Sequence, residues 1–140
     1  MTKIFLDTSY AIALAATTDR YHRLAEKLAL DMEANGTQLV TTRAVVLEIG
    51  NALAKPRYRS AAVELLSALE EDPMVEITPL SEELCMMGWH LYRERLDKEW
   101  GLTDCISFIV MRERGLIEAL TTDKHFQQAG FKVLLQGDGC

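Results

Sequence analysis

Residues 3–16 read KIFLDTSYAIALAA and place a short apolar run directly before an acid. The run at positions 4–6, Ile-Phe-Leu, is typical of a buried strand, and the residues after it follow a helical pattern. The strand ends on Asp7, and Thr8 is the first of two hydroxyl residues behind it. Asp and Thr are favoured helix N-caps, so capping is one interpretation of Asp7. The other is a functional site, which requires further acids to meet Asp7.

Apolar runs and helical patterns alternate along the rest of the chain. Strands are predicted over residues 3–7, 38–41, 75–78, 118–121 and 132–135. Helices are predicted over residues 9–16, 20–34, 43–54, 58–71, 81–98, 103–114 and 124–129. Pro56 separates the third helix from the fourth, because proline cannot continue a helix. This alternation indicates an α/β fold, a three-layer sandwich whose mostly parallel five-stranded sheet carries helices on both faces.

The composition is that of one globular domain, predicted to span residues 1–140, with 49% hydrophobic and 26% charged residues. No stretch approaches the roughly 18 apolar residues of a membrane-spanning helix, and Asp7 interrupts any signal-peptide core. We therefore expect a cytoplasmic protein that does not enter a membrane. The cysteines are odd in number and lack CxxC spacing, which indicates reduced thiols at Cys85, Cys105 and Cys140.

The net charge of −6 is unusual for a protein that handles nucleic acid. A metal site that took up four acids would leave a charge of about −2 on the rest of the chain. Nine of the fifteen cationic residues are arginines, whose side chains suit bidentate phosphate contact. The acidity therefore does not exclude RNA as a partner.

A second acid lies within a helical stripe in residues 41–55, TTRAVVLEIGNALAK. The apolar positions of this stripe are Val45, Ile49, Ala52 and Leu53. Glu48 falls three residues after Val45 and is expected to face inward, with Asn51 as a hydrogen-bonding partner. The alternative is a glutamate at the edge of the stripe that reaches water.

A third acid opens the helix predicted within residues 101–115, GLTDCISFIVMRERG. Thr103 is the predicted N-cap, and Phe108 and Met111 follow Asp104 at i+4 and i+7 on a face expected to be buried. The helix dipole stabilises an aspartate in a first turn wherever it points. Asp104 alone is therefore weak evidence for a site.

A fourth acid repeats the pattern of the first. In residues 118–126, EALTTDKHF, a predicted strand runs through Thr121 and Thr122 into Asp123. Asp123 could also be only a cap. Ligand sites of open parallel sheets form beyond the carboxyl ends of the strands, where the strand order reverses. Asp7 and Asp123 occupy such ends, and the two helical acids are expected to meet them there.

Four converging carboxylates require cations, and ligand sets made of oxygen alone select hard ions such as Mg²⁺ or Mn²⁺. One or two ions per site are expected. Paired ions about 3.5–4 Å apart activate water and stabilise an in-line phosphoryl displacement. That is the chemistry of a hydrolytic nuclease.

The sequence resembles the PIN-domain ribonucleases, and in particular the VapC-type toxins of bacterial toxin–antitoxin pairs. The resemblance spans nearly the whole chain and is strongest in IFLDTSYAIAL, LEIGNAL and LTDCISFIVMRERGLIEALTTDKHF. The acidic quartet of that family falls on Asp7, Glu48, Asp104 and Asp123. Thr8 and Thr121 match hydroxyl residues near the site. Relatives often carry a small polar residue where this chain has Gly101, a departure that removes no ligand.

The resemblance implies a PIN-like fold and a metal-dependent endoribonuclease. It also implies a homodimer and inhibition by a cognate antitoxin protein. Asp7, Glu48 and Asp104 are expected to hold the principal ion, with Asp123 completing the site or helping a second ion to bind. Candidates for steering RNA are Arg57, Arg59, Arg112 and Arg114, with Tyr58 available for stacking on a base. An equally open interpretation of these arginines is solvated surface charge.

Other kinds of metal or catalytic site fit the sequence less well. The three histidines are too dispersed for a zinc cluster, and His125, close to Asp123, is given no role. A dehalogenase-type phosphatase requires a second aspartate where Ser9 stands. A receiver-like signalling domain requires a phosphoacceptor at the end of a middle strand, but strand 75–78 ends in Thr78. The remaining alternative is a PIN-like module that binds RNA or protein without cutting.

Overall fold

The computed structural model describes residues 2–136, so Cys140 lies outside the described part of the chain. The strands are β1 (Lys3–Leu6), β2 (Gln38–Thr42), β3 (Val75–Thr78), β4 (Glu118–Leu120) and β5 (Lys132–Val133). The helices are α1 (Thr8–Ala15), α2 (His22–Asn35), α3 (Arg43–Ala52), α4 (Pro56–Glu71), α5 (Glu82–Glu94), α6 (Leu102–Arg114) and α7 (Lys124–Gln128). Strand and helix alternate, which confirms the predicted α/β class. No helix of residues 2–136 is long and apolar enough to cross a membrane.

All five strands form one parallel sheet in the order β3-β2-β1-β4-β5. The chain builds from β1 outward through β2 to β3, then returns to the other side of β1 with β4 and β5. The strand order therefore reverses between β1 and β4. A hydrogen bond of 3.2 Å from the backbone N–H of Asp7 to the carbonyl of Leu120 joins the carboxyl ends of these two strands. This is the edge where a ligand site is expected in such a sheet.

The central strand is buried on both faces. Ile4, Phe5 and Leu6 are consecutive and at most 6% exposed, so residues that point to opposite faces of β1 are both covered. The rings of Phe108 and Phe126 meet edge to face with centroids 4.9 Å apart. This contact fixes α6 and α7 against each other, and Phe126 also lies 6.3 Å from the ring of Phe5 in β1.

Several helix ends differ from the predictions by one to four residues. Helix α4 begins at Pro56, because a proline needs no hydrogen bond at the first helical position. Helix α5 ends at Glu94, four residues earlier than predicted. Helix α6 begins at Leu102, so Gly101 is its N-cap and the prediction of Thr103 was wrong. The predicted burial of Phe108 and Met111 is confirmed.

Candidate functional site

Asp7 lies at the carboxyl end of β1 and is only 5% exposed. It occupies the N-cap position of α1, yet its side chain accepts no capping hydrogen bond, so capping does not explain it. The hydroxyl of Thr121 donates a hydrogen bond of 2.7 Å to Oδ2 of Asp7. Burial raises the pKa of Asp7 to about 7. The negative charges of Asp104 and Glu48 also act to raise this pKa, whereas the hydrogen bond from Thr121 acts to lower it.

Thr121 is completely buried and connects several groups beneath the site. Its Oγ1 accepts the backbone N–H of Asp123 at 3.0 Å and lies 3.1 Å from Oγ of Ser9. The Thr121 hydrogen is given to Asp7, so Ser9 is the donor in that contact. Ser9 in turn accepts the N–H of Thr122 at 2.9 Å. This network joins the ends of β1 and β4 through side chains as well as backbone.

Glu48 reaches the same place from α3, but not from a buried position. Its side chain is exposed and accepts a hydrogen bond from the hydroxyl of Thr8. The predicted inward position was wrong, and the alternative of a glutamate at the edge of the stripe that reaches water is confirmed. Ala52, which defined one side of the stripe, is exposed as well. Asn51 is exposed, and within residues 2–136 no hydrogen bond joins it to Glu48. Thr8, rather than Asn51, orients Glu48.

Asp104 occupies the first turn of α6. Its Oδ2 accepts the backbone N–H of Gly101 at 3.0 Å, so this carboxylate stabilises the start of its own helix. Oδ2 also lies 3.1 Å from Nδ1 of His125. Burial raises the pKa of Asp104, and the charge of Asp123 acts in the same direction, against the bonds from Gly101 and His125.

Asp123 caps α7, as the simpler interpretation predicted, because its Oδ1 accepts the backbone N–H of His125 at 2.9 Å. The same atom lies 3.3 Å from the ring nitrogen Nδ1 of His125. Ligand atoms of Asp104, Asp123 and His125 all lie within 4.8 Å of one another. The side chain of Asp123 therefore both caps α7 and belongs to the cluster with Asp104 and His125.

These groups line one open cleft of about 690 Å³ at the carboxyl edge of the sheet. The four predicted acids all line it: Asp7, Glu48, Asp104 and Asp123. Their role as metal ligands stays a prediction. Sequence reasoning missed other lining residues, among them Glu99, Lys124 and His125. Position next to Asp123 was the available signal for Lys124 and His125, whereas Glu99 gave none.

The arginines predicted to steer RNA do not line this cleft, which has Lys124 as a lining cation instead. The guanidinium of Arg59 donates to the carbonyl of Ala54 at 2.7 and 2.9 Å. Arg114 makes a bidentate pair with Glu76, both contacts at 2.6 Å.

The remaining two arginines of that set have other positions. Arg57 lies over the ring of Tyr58 at 4.7 Å. Arg112 lies in the last turn of α6, about 12 Å along the helix from Asp104. A role in RNA binding stays a prediction for all four arginines, of which Arg59 and Arg114 are the weaker candidates because they already have partners within the protein.

The donor set of the cleft fits a divalent cation. Carboxylate oxygens dominate it, and these are the ligands that Mg²⁺ and Mn²⁺ prefer. Asp7 is buried, and no lysine or arginine of residues 2–136 forms an ion pair with it. A buried carboxylate without a cationic partner is costly when ionised. A cation among these acids would offset that cost.

Comparison with known proteins agrees with the geometry. The chain is 29% identical over 128 residues to the 23S rRNA-specific endonuclease VapC20 of Mycobacterium tuberculosis, covering 91% of this chain and 95% of that protein. The crystal structure of that protein, described as a sarcin–ricin loop cleaving toxin, superposes with a TM-score of 0.80 at 27% identity, covering 91% of this chain and 95% of that one.

More distant structures share the fold. VapBC2 of Rickettsia felis, bound to promoter DNA, gives a TM-score of 0.66 at 13% identity, covering 94% of this chain and 97% of that one. FitAcB of Neisseria gonorrhoeae gives 0.62 at 20% identity, with 93% and 95% covered. The family model described as PIN domain matches residues 4–132. The predicted resemblance is confirmed, and the chain belongs to the PIN domain family.

Proposed function

We propose that this protein is a metal-dependent endoribonuclease that hydrolyses RNA phosphodiester bonds, and the toxin of a VapBC-type toxin–antitoxin pair. The observation that carries the proposal is the cleft, where the carboxylates of Asp7, Glu48, Asp104 and Asp123 face one space at the reversal point of the sheet. Membership of the PIN family and the endonuclease named among its relatives support the same activity.

The four carboxylates would hold Mg²⁺ or Mn²⁺, one or two ions in each site. The cation supplies Lewis acidity that lowers the pKa of water and stabilises charge on the phosphate. Thr121 orients Asp7, and Thr8 orients Glu48, so two of the proposed ligands are fixed by hydroxyl groups before a cation binds. Gly101 does the same for Asp104 through its backbone N–H.

The substrate class we propose is a structured loop of ribosomal RNA, because the relative that covers 91% of this chain is named for 23S rRNA. Lys124 lines the cleft and is the proposed contact to the RNA backbone beside the scissile bond. Arg57 and Arg112 are proposed to steer RNA from outside the cleft. We further propose a single domain over residues 1–140, a homodimer, a cognate antitoxin as inhibitor, and a cytoplasmic location.

The test is cleavage of an RNA hairpin with the sarcin–ricin loop sequence by the purified chain, freed of any bound inhibitor. We expect cleavage with Mg²⁺ or Mn²⁺ and none with a chelator. Asp7→Asn and Asp104→Asn should reduce the rate by about 100-fold or more. Asp31→Asn is the matched control, since Asp31 is exposed and pairs with Lys27 at 3.1 Å, outside the cleft.

Two outcomes would contradict the proposed endoribonuclease activity. Cleavage that survives Asp104→Asn would come from another site or from a contaminant. Metal-dependent retention of the hairpin without product would indicate a PIN-like module that binds RNA and does not cut it.

A further inference from the structure

The imidazole of His125 lies between two acids of the cleft that come from different elements. Its Nδ1 atom is 3.1 Å from Oδ2 of Asp104 and 3.3 Å from Oδ1 of Asp123. Asp104 belongs to the first turn of α6, whereas Asp123 precedes α7. The His125 side chain is 19% exposed, so it is held mainly by protein. One ring atom therefore joins two of the four proposed ligands.

Packing next to the ring fixes its position. Phe126 is completely buried and meets Phe108 edge to face at 4.9 Å, and Phe108 lies one helical turn after Asp104. His125 is adjacent to Phe126, and Asp104 lies one turn before Phe108. The packing of α7 on α6 that joins the two rings therefore also brings His125 and Asp104 into contact. The backbone N–H of His125 also donates to Asp123 at 2.9 Å. Helix packing, rather than a loop, sets these distances.

The surroundings of Nδ1 decide where the ring hydrogen lies. Both atoms that face Nδ1 are carboxylate oxygens, which only accept hydrogen bonds when ionised. An Nδ1 lone pair would face two acceptors and be repelled by both. With Asp104 and Asp123 ionised, as cation binding requires, the ring therefore carries a hydrogen on Nδ1, which it donates to Oδ2 of Asp104 and which lies beside Oδ1 of Asp123.

These bonds leave each carboxylate with one oxygen for a cation. Oδ2 of Asp104 takes the N–H of Gly101 at 3.0 Å together with the His125 ring. Oδ1 of Asp123 accepts the backbone N–H of His125 and lies 3.3 Å from Nδ1 of the ring, a charge contact rather than a second hydrogen bond. Within the described residues, Oδ1 of Asp104 and Oδ2 of Asp123 have no such donors. The ring and these two backbone N–H groups together determine which oxygen of each acid is available.

We propose that His125 is a positioning residue of the metal centre: its Nδ1–H, bonded to Oδ2 of Asp104 and beside Oδ1 of Asp123, holds the two acids together and leaves the other oxygen of each for the cation. The proposal rests on the proposed function, because it takes these acids as metal ligands. His125 is not itself a ligand in this arrangement, since Nδ1 is used as a donor. Partners behind metal ligands typically change metal affinity by 10–100-fold when removed.

The test measures Mn²⁺ binding by calorimetry in the absence of RNA. The amide N–H of His125→Asn lies near the position of Nδ1, whereas that of His125→Gln lies near Nε2. We expect the Asn variant to bind Mn²⁺ within about threefold of wild type and the Gln variant to bind about tenfold more weakly or worse. His90→Ala is the control, because His90 is exposed and contacts Arg93. Thermal melting of each variant checks that it is folded.

Electron paramagnetic resonance of the bound Mn²⁺ separates a positioning residue from a ligand. No coupling to a histidine nitrogen is expected. Coupling that disappears in His125→Gln would make His125 a ligand and overturn the proposal, as would equal Mn²⁺ affinities of the Asn and Gln variants. Mn²⁺ binding is measured without RNA and is therefore independent of cleavage. If the Asn and Gln variants differ in Mn²⁺ affinity as expected but the wild type does not cut RNA, only the proposed nuclease function is refuted. Cleavage with equal affinities would refute only the role of His125.

Discussion

The hydroxyl of Thr121 donates a 2.7 Å hydrogen bond to the carboxylate of Asp7, although the two residues are 114 positions apart in the sequence. The same oxygen accepts the backbone N–H of Asp123 at 3.0 Å. One buried hydroxyl thus orients two of the proposed ligands, one from each strand that meets at the reversal point. The arrangement of the acids therefore depends on a residue that does not line the cleft.

Thr121→Val is expected to destabilise the protein and weaken its metal site. Valine has the shape of threonine but leaves Oδ2 of Asp7 and the N–H of Asp123 without their partner, at a cost of about 1–3 kcal/mol in the free energy of unfolding. Mn²⁺ affinity should fall by roughly tenfold. Urea unfolding and calorimetry measure the two effects.

Thr121→Ser is the matched control for this change. It keeps the hydroxyl and loses one methyl group, so Mn²⁺ affinity should stay near that of wild type while stability falls by about 1 kcal/mol. If valine and serine behaved alike in metal binding, the hydroxyl would not be what orients Asp7.

The stability of the metal-free protein is expected to fall between about pH 4 and pH 7 because of Asp7. The pKa of Asp7 is about 7 in the folded protein against 3.8 for an ordinary aspartate, so the folded state binds more protons in this interval. The stabilising contribution of the protonated group is complete below pH 3.8 and is lost as the pH rises through 7. At about 1.4 kcal/mol for each tenfold change in proton affinity, the loss is roughly 4 kcal/mol at most.

Asp7→Asn tests this dependence, because asparagine stays neutral at every pH. With a chelator present, the melting temperature of Asp7→Asn should exceed that of wild type by several degrees at pH 8 and equal it near pH 4. Titrating groups that do not interact with Asp7 cancel in this difference. Adding Mg²⁺ should raise the melting temperature of wild type alone, since the ion binds its native state. A difference that does not change with pH would show that Asp7 is ionised when metal-free.

Most of the fold follows from local sequence, and the centre of the site follows from the fold. Apolar runs that end on polar residues predict β1 and β4, and a parallel sheet then brings Asp7 and Asp123 to one edge. Contacts made by long-range packing could not be predicted in this way. The hydrogen bond from Thr8 to Glu48 depends on how α1 packs on α3.

The role of His125 was hidden for the same reason. Its ring meets Asp104 because α7 packs on α6, and the residues are 21 positions apart. The sequence left two interpretations of Glu48 open because helical spacing defines a stripe but not its width, and Ala52 at the far side of that stripe is exposed. The sequence pattern thus located the four acids, while the packing of the helices determined their hydrogen-bonding partners.

Gly88 allows α5 to approach the helix that carries Asp104, and Gly88→Ala is expected to destabilise the fold. A Cβ atom at this position would lie 2.6 Å from Cγ1 and 3.5 Å from Cα of Ile106. Cγ1 belongs to a branched side chain close to its backbone, so relief requires a shift of α6. We expect a loss of about 1–3 kcal/mol in the free energy of unfolding, despite the better helix propensity of alanine.

Gly50→Ala provides the control for helix propensity. The nearest atom to its added Cβ is Cδ1 of Leu66 at 3.9 Å, an ordinary contact. This variant should be stabilised by about 0.5–1 kcal/mol. Urea unfolding of both variants gives the comparison, and an increase in stability for Gly88→Ala would show that α5 and α6 can separate at little cost.

Lys124 and Arg114 are expected to differ in their effect on RNA, although both are cations. Lys124 is exposed at the start of α7 and lines the cleft, whereas Arg114 is held by Glu76 through two 2.6 Å contacts. If the chain cuts RNA as proposed, Lys124→Ala should raise KM by about threefold to tenfold and reduce the slope of log KM against log salt by about one. Arg114→Ala should leave KM unchanged and cost less than about 1 kcal/mol of stability, as for other exposed pairs.

Initial cleavage rates over a range of about 50 to 200 mM KCl measure both KM and its salt dependence. A phosphate contact displaces counterions from the RNA, so a change in slope identifies Lys124 as a direct contact, while a change in KM alone would indicate a disturbed cleft. If Arg114→Ala reduced the slope and Lys124→Ala did not, the RNA would bind over the distal end of α6. The open cleft would then receive only the nucleotides next to the scissile bond.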